Sequence, residues 1–328
     1  MQPASQQALS RRGLSGGMLI LWLTTVAMLW CAEARAAVPG CESQSVYQPA
    51  LAPLREPAQP PGDVSVILVH GKNGSPLAAL FNTAAAALAQ RGYSVIRPLL
   101  PWAIKWIGGE WVYRWDGTQC EGLNYLADLV AAERERGMRV VMMGHSMGGM
   151  HSLLYASKAG HGLEAIVAIA PGHMLPLSRS VLDMTAGEVS RARAKVAAGL
   201  GDEPGVYATY YGQLWPLQTT PNIFLSYHDV TQTPDFNAVL PAVTLPWYLT
   251  IGTSDPNYGF YERAGVITKL PAGSPNTYKV TSGDHYTILD QVPDLFDTWF
   301  RSWSQVGAAP RNAEPVVVQQ LLNQLLLE

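Results

Sequence analysis

Residues 144–149, with the sequence Gly-His-Ser-Met-Gly-Gly, constrain the fold of this chain more than any other stretch. A short apolar run from Arg139 to Met143 precedes them and predicts a buried strand. Residues 150–159 follow and predict a helix that ends at Gly160. Strand, Gly-x-Ser-x-Gly and helix, in that order, make a nucleophile elbow, a sharp turn that presents a serine at the end of a strand. Glycine is needed because larger side chains two residues before and after the serine would collide with the crossing strand and helix.

The bare pattern is weak evidence, because residues 13–17, Gly-Leu-Ser-Gly-Gly, match it with no predicted strand before them. The surrounding strand and helix therefore identify Ser146 as the candidate nucleophile. The alternative for residues 144–149 is an ordinary glycine-rich turn between a strand and a helix.

The bulk composition limits the classes of protein to be considered. The chain has 328 residues, of which 48% are hydrophobic, enough to bury the core of one large domain. Its formal net charge of -3 and its 14% charged residues give no basic surface of the kind that nucleic acid requires. We therefore expect no nucleic-acid partner.

The first 36 residues predict a signal peptide. Arg11 and Arg12 form a positive region, an apolar run from Met18 to Trp30 follows, and residues 34–36 offer small side chains to a signal peptidase. The apolar run is short for a membrane span. We expect cleavage after Ala36 and export to the periplasm or the exterior by the Sec or the Tat route, with no stable membrane span afterwards. An uncleaved membrane anchor is the alternative.

Cleavage would remove Cys31 and leave two cysteines, Cys41 and Cys120. Because exported proteins commonly form disulfides, we predict one between these two residues. It would tie the N-terminal arm to the loop before the second helix. Two independent buried thiols are the alternative.

Beyond residue 62 the chain alternates predicted strands and helices. The strands are expected at residues 64–69, 93–97, 139–143, 163–170, 246–252 and 276–280. This alternation predicts an α/β fold, with a mostly parallel central sheet flanked by helices. We assign residues 37–62 to an extended N-terminal arm, 63–303 to the α/β domain and 304–328 to a linker and an amphipathic helix. Residues 173–244 interrupt the alternation and predict a helical cap over the carboxyl edge of the sheet.

Two polar residues follow later strands and complete a candidate site with Ser146. Asp255 comes directly after the strand at residues 246–252, and His285 follows the strand at residues 276–280. The carboxyl ends of parallel strands meet at one edge of a sheet, so these side chains are expected to lie together. A serine hydroxyl becomes a good nucleophile when a histidine takes its proton and a carboxylate orients that histidine.

The order Ser146, Asp255, His285, with each residue after a separate strand, resembles the α/β-hydrolase superfamily in its serine esterase and lipase branch. The resemblance covers roughly residues 63–303. It implies that Ser146 is the nucleophile, His285 the general base and acid, and Asp255 the orienting carboxylate. It also implies that no cofactor is needed.

The same resemblance implies an oxyanion hole made of backbone amides. The family uses the amide after the nucleophile, here Met147, and one from the loop after the first parallel strand. Residues 70–72, His-Gly-Lys, match the family's His-Gly-x, which assigns the second donor to Lys72. Donors of this kind each contribute roughly a hundred- to a thousandfold in rate. The His-Gly-Gly-Gly variant of some esterases does not occur at this position.

Other polar residues have less specific interpretations. His145 is expected to pack beside the elbow, and Asp229 is the rival for the role of the orienting carboxylate. His151, His161 and His173 lack the spacing of metal ligands, so we predict no metal site.

A loop at residues 101–115 is dense in tryptophan. Its aromatic rings either pack beneath the cap or line the substrate pocket, since loops at this edge form the walls of the site. The residues predicted to contact the substrate are Trp102, Trp106, Trp111 and His145. Three basic residues nearby would favour an acidic group on the substrate: Lys72, Lys105 and Arg114.

Together these features predict an exported serine hydrolase that cleaves carboxylic esters of small molecules or lipids through an acyl-enzyme. Lipase, amidase or peptidase, acyltransferase and cofactor-free perhydrolase chemistry on the same fold are alternatives. A non-catalytic binding module is the alternative from another class. The sequence does not predict an oligomeric state.

Overall fold

A central sheet of seven strands organises the computed structural model, which describes residues 37–158, 162–173, 179–233, 235–263 and 275–304. The strands of the described residues are β1 (Leu54–Glu56), β2 (Val64–Val69), β3 (Tyr93–Arg97), β4 (Lys105–Ile107), β5 (Glu110–Val112), β6 (Arg139–His145), β7 (Ala165–Ile169), β8 (Gly205–Tyr211), β9 (Gln213–Thr219), β10 (Trp247–Gly252) and β11 (Thr277–Thr281). The order across the sheet is β1-β3-β2-β6-β7-β10-β11. Strand β1 runs antiparallel to β3, and the other neighbours pair in parallel.

Helices flank this sheet and connect its strands. Those of the described residues are α1 (Ala79–Ala89), α2 (Gln119–Glu135), α3 (Met147–Ala156), α4 (Arg179–Ala197), α5 (Pro221–His228), α6 (Phe236–Ala242), α7 (Tyr258–Arg263) and α8 (Val292–Ser304). Helix α2 begins at a capping box, in which Thr118 Oγ1 accepts from the Glu121 amide and the Glu121 carboxylate accepts from the Thr118 amide. The predicted fold class, a mostly parallel sheet flanked by helices, is confirmed.

Strand β6, which leads into the elbow, lies in the middle of the sheet between β2 and β7. Its side chains alternate between two hydrophobic clusters, as the pleat of a strand requires. Met142 belongs to one cluster and Met143 to the other, and both are fully buried. A strand buried on both faces gives the residue at its end a rigid support.

The insertion between β7 and β10 is only partly helical. It contains α4, α5 and α6, but also the antiparallel hairpin of β8 and β9, in which Gly205 pairs with Thr219. The sequence analysis did not predict this hairpin, because Pro216 falls inside its second strand and proline breaks the usual strand pattern.

The tryptophan-rich loop also contains a hairpin, formed by β4 and β5 around Gly108 and Gly109. The loop continues as a partner of the insertion: the Trp115 amide donates to the Gln218 carbonyl at 3.0 Å, and the Gln218 amide donates to Tyr113 at 2.8 Å. The segment that follows the first hairpin therefore pairs with β9 of the second.

The N-terminal arm does more than cover the surface, since its strand β1 extends the sheet. Arg55 of β1 forms an ion pair with Glu133 of α2 at 2.7 Å. The predicted disulfide between Cys41 and Cys120 is present and joins the arm to the first turn of α2.

The predicted signal peptide and the predicted C-terminal helix, residues 316–327, lie outside the described residues. Within the described part of the chain, none of the helices combines the length and the hydropathy that a membrane crossing requires.

Candidate active site

Ser146 occupies the turn between β6 and α3 in a strained conformation. Its φ is 55°, in the left-handed region that residues other than glycine rarely adopt. The strain is held by hydrogen bonds from both sides. The Ser146 amide donates to the Ile169 carbonyl of β7 at 2.9 Å, and the Ser146 carbonyl accepts from the Gly149 amide at 2.9 Å.

Two glycines allow the strand and the helix to cross this closely. A Cβ on Gly144 would lie 2.2 Å from the Gly148 carbonyl oxygen, and a Cβ on Gly148 would lie 2.5 Å from the carbonyl oxygens of Val69 and His70. These are the positions two residues before and after Ser146. No side chain fits at either, so the elbow depends on both glycines.

Ser146 is the first member of a hydrogen-bonded chain that includes His285 and Asp255. The Ser146 Oγ lies 2.9 Å from His285 Nε2, and His285 Nδ1 lies 2.6 Å from Asp255 Oδ2. The Asp255 side chain is fully buried, while 15% of the His285 side-chain surface is exposed. The structure thus brings together the three residues that the sequence analysis grouped.

The hydrogen bonds of Asp255 orient its carboxylate toward His285. Asp255 Oδ1 accepts from the Asn257 amide at 2.7 Å, which orients the carboxylate and leaves Oδ2 for the histidine. His285 Nδ1 faces this carboxylate, which orients the ring with Nε2 toward the serine hydroxyl. This arrangement can take the proton of Ser146 as the hydroxyl attacks an electrophile.

Two backbone amides predicted to form the oxyanion hole belong to elements next to Ser146. Met147 is the first residue of α3, where amides have no acceptor inside the helix. Lys72 follows Gly71, and a Cβ on Gly71 would lie only 2.8 Å from the Ser146 Cβ. The loop after β2 therefore passes directly against the nucleophile.

His70 shapes that loop. Its Nδ1 lies 2.9 Å from the Gly71 carbonyl and its Nε2 accepts from the Leu100 amide at 3.2 Å, which together specify a neutral ring. Burial lowers the pKa of His70 to about 4, so the ring stays neutral near neutral pH. Trp102 Nε1 donates to the His70 carbonyl at 3.0 Å.

His145 lies beneath His285 and contacts its backbone. Its Nε2 donates to the His285 carbonyl at 2.7 Å, and the two rings lie 4.8 Å apart. Burial lowers the pKa of His145 to about 3, and the neighbouring His285 acts in the same direction. His145 is 3% exposed, which fits the expected packing role and places it under the site.

Asp229, the rival carboxylate, is engaged elsewhere. Its two oxygens accept from Arg193 at 2.7 and 2.8 Å, and one also accepts from the amide and the hydroxyl of Thr231. The hydrogen bond from Arg193 lowers the pKa of Asp229 to about 2. The carboxylate that contacts His285 is Asp255.

The tryptophans of the loop divide into two pairs. Trp102 and Trp115 are 0% and 1% exposed and pack in the core, Trp102 against the His151 ring at 4.4 Å. This burial favours the packing role that the sequence left open for Trp102, and its contact with substrate stays a prediction. Trp106 and Trp111 face each other across the hairpin and are 60% and 59% exposed, so their contact with substrate stays a prediction.

Gly172 is a site residue that the sequence analysis did not identify. A Cβ at this position, just after β7, would lie 2.9 Å from Ser146 Oγ and 3.5 Å from the Met147 amide nitrogen. Its place at the end of a predicted strand was the signal that could have identified it. No group of three His, Cys, Asp or Glu residues suited to a metal ion occurs among the described residues; His161 lies outside them.

Comparison with known proteins relates this architecture to one family. The profile of the alpha/beta hydrolase family matches residues 66–306. The alpha/beta hydrolase GrgF from Penicillium sp. sh18 is similar in structure, with a TM-score of 0.55 and 14% identity over 76% of this chain and 93% of that chain. Est1E from Butyrivibrio proteoclasticus has a TM-score of 0.51 and 18% identity over 76% and 93% of the two chains.

A third similar structure is that of DcsB in complex with its substrate analogue. Its TM-score is 0.55, with 15% identity over 76% of this chain and 99% of that chain. Identities this low show a shared fold. Comparison with curated protein sequences finds no match.

Proposed function

Since this chain belongs to the alpha/beta hydrolase family, we propose that it is a serine hydrolase that cleaves carboxylic esters through an acyl-enzyme. The observation that supports this most directly is the hydrogen-bonded chain from Ser146 through His285 to Asp255, with distances of 2.9 and 2.6 Å. The strained backbone of Ser146 supports it further, because strain of this kind clusters at reactive residues.

In the proposed reaction, Ser146 Oγ attacks the ester carbonyl carbon while its proton moves to His285 Nε2. Asp255 stabilises the imidazolium that forms, and the amides of Met147 and Lys72 donate to the developing oxyanion. The tetrahedral intermediate then collapses: the carbon–oxygen bond to the alcohol breaks, and the alcohol takes the proton from Nε2. Water attacks the acyl-enzyme by the same proton path, releasing the acid and regenerating Ser146.

We also propose that the protein is exported and that residues 1–36 are removed. The disulfide between Cys41 and Cys120 supports export, because such bonds persist in oxidising compartments. N-terminal sequencing of the mature protein from its host should give Ala37 as the first residue. Recovery of the intact N-terminus in the membrane fraction would instead support an uncleaved anchor.

A fluorophosphonate probe tests the nucleophile. It should label the wild-type protein and fail to label Ser146→Ala. The matched control is Ser157→Ala, which removes a hydroxyl from the end of the same helix, where Ser157 Oγ donates only to the Leu154 carbonyl. Absence of labelling in pure, folded wild-type protein would overturn the proposal.

Hydrolysis of p-nitrophenyl esters of increasing acyl length then tests the substrate class. Preference for short chains means an esterase, and preference for long chains with activation at a lipid–water interface means a lipase. Addition of an acceptor alcohol separates hydrolysis from acyl transfer, because a transferase forms the new ester faster than the free acid.

A further inference from the structure

The side chain of Lys72 extends from the loop beside Ser146 toward the insertion. Its Nζ donates to the Tyr210 carbonyl of β8 at 2.8 Å and lies 5.5 Å from the centre of the Trp115 ring. The residue as a whole is partly exposed, while burial removes its ammonium from water. Lys72 thus lies between the nucleophile and the insertion that covers this edge of the sheet.

Lys72 has no carboxylate partner among the described residues. An ammonium group has three N–H donors, and the Tyr210 carbonyl takes one of them. The carbonyl and the indole face are both neutral. Lys105, by contrast, forms an ion pair with Asp116 at 3.2 Å. Arg114 is exposed and is not among the residues that contact the Lys72 ammonium. Of the three basic residues suggested by the sequence, Lys72 is the one whose loop passes against Ser146, and its ammonium contacts no opposite charge among the described residues.

An ammonium in this setting is costly, because partial removal of a charge from water without an opposite charge is unfavourable. Burial lowers the pKa of Lys72 to about 7. An anion that came to rest on this group would remove the cost and restore the charged form.

Two further described neighbours of Lys72, His173 and His228, carry no negative charge. Burial lowers the pKa of His228 to about 3 and that of His173 well below its usual range, and the charge of Lys72 acts in the same direction on both. His173 Nε2 donates to the Tyr227 carbonyl at 2.6 Å, which holds the ring in place.

The loops that carry Lys72 and His173 both pass against the nucleophile. His173 follows Gly172, whose Cβ position lies 2.9 Å from Ser146 Oγ, and its ring lies 6.4 Å from that of Trp115. Lys72 follows Gly71, which lies against the Ser146 Cβ. Two loops that both start at the nucleophile therefore converge on Trp115.

We propose that Lys72 binds a carboxylate carried by the substrate, so that the enzyme prefers esters with a negatively charged group a few bonds from the reacting carbonyl. This inference rests on the proposed ester hydrolysis at Ser146. It adds a role for the Lys72 side chain to the oxyanion role of its amide. The two roles are separable, because the amide acts on every ester and the ammonium distinguishes charged esters from neutral ones.

The test compares esters in which a carboxylate replaces a methyl group. On the acyl side, mono-p-nitrophenyl adipate is compared with p-nitrophenyl hexanoate; on the alcohol side, 4-carboxyphenyl acetate is compared with 4-methylphenyl acetate. Each rate is corrected for the uncatalysed reaction. A hydrogen-bonded charge pair predicts a preference on the order of ten- to a hundredfold in kcat/KM for the charged ester of one pair.

In Lys72→Met, whose unbranched side chain is one atom shorter and uncharged, that preference should fall to about onefold. The ratio of charged to neutral ester cancels any change in the oxyanion hole, which acts on both. Lys105→Met is the matched control and should keep the wild-type ratio, because Lys105 is already paired with Asp116.

Two results would overturn the inference while leaving ester hydrolysis intact: wild-type enzyme that hydrolyses neutral esters with no preference in either pair, or a preference that Lys72→Met retains. If no ester is cleaved and the fluorophosphonate probe does not label Ser146, the proposed function itself fails. Preference in the acyl pair or in the alcohol pair tells which half of the ester carries the carboxylate.

Discussion

Replacement of Gly172 by alanine adds one methyl group beside the nucleophile. The three heavy atoms nearest to the new Cβ all belong to Ser146 and Met147, with Ser146 Oγ at 2.9 Å. The φ of Gly172 lies outside the left-handed region, so alanine can adopt the same backbone conformation. The substitution therefore acts on the site and leaves the rest of the fold unchanged.

The size of the effect follows from these distances. Real Cβ contacts are essentially never shorter than 3.0 Å, and ordinary contact begins at 3.4 Å, so the methyl group and Oγ must separate by about 0.5 Å. The hydrogen bond of 2.9 Å from Oγ to His285 cannot keep its geometry after such a shift. The new methyl group also lies 3.5 Å from the Met147 amide, where the oxyanion would bind.

A misplacement of about 1 Å costs roughly a hundredfold in rate, and loss of one oxyanion donor costs roughly a hundred- to a thousandfold. We therefore expect kcat/KM of Gly172→Ala on p-nitrophenyl esters to fall by about a hundredfold, together with its rate of labelling by fluorophosphonate. The free energy of unfolding, measured with urea, should change by less than about 1 kcal/mol.

Gly187→Ala is the matched control. Gly187 lies in α4, where an added Cβ would have no neighbour within 4 Å, so this variant should keep full activity and gain about 0.5–1 kcal/mol in stability. A folded Gly172→Ala variant with wild-type activity would refute the reasoning. A loss of several kcal/mol in unfolding free energy would contradict it as well, since the effect would then lie in the fold.

Four further predictions concern other contacts. Asp255→Asn should lower kcat by about a thousandfold or more. Asp229→Asn should remain active and lose the acid-dependent part of its stability. Equal losses of activity in the two variants would contradict the assignment of Asp255 as the orienting carboxylate. Because the pKa of Asp229 is lowered to about 2, its contribution to wild-type stability is present above about pH 4 and is lost as the pH falls toward 2, which urea titrations at several pH values would detect. His145→Phe should lower kcat by about tenfold with little change in KM. His145→Gln can still donate to the His285 carbonyl and should restore kcat. If the glutamine variant is as slow as the phenylalanine variant, His145 is a packing residue. Cys120→Ser should lower the free energy of unfolding by about 4 kcal/mol, because the disulfide joins residues 79 apart, and a reducing agent should have the same effect on the wild-type protein and none on the variant.

The centre of the sheet could be predicted from the sequence because strands β2, β6, β7 and β10 are buried on both faces. Runs such as Val64–Val69 are apolar except for Ser65, and a glycine follows at Gly71, which indicates both the type and the limits of the element. Residues at the ends of such strands must share one edge of the sheet. For that reason the grouping of Ser146, Asp255 and His285 followed from chain order alone.

The two hairpins could not be predicted in the same way. Strands β4 and β5 have three residues each, too few to show a period, and they lie in a loop rich in aromatic residues. The contact between Lys72 and Tyr210 joins residues 138 apart and uses a backbone carbonyl, for which the side chain of Tyr210 gives no signal. Gly172 was missed because its requirement comes from an atom of Ser146 that only the folded chain brings near.

The N-terminal arm also protects the sheet from other molecules. A strand with an unpaired edge can hydrogen-bond to the edge of a neighbouring molecule and start aggregation. Strand β1 covers the edge of β3, and the bond between Cys41 and Cys120 keeps the arm from detaching. In a reducing solution, molecules that lose the arm would associate through β3 while their reactive serine was still intact. The shelf life of the protein would then be set by its solubility and not by its chemistry.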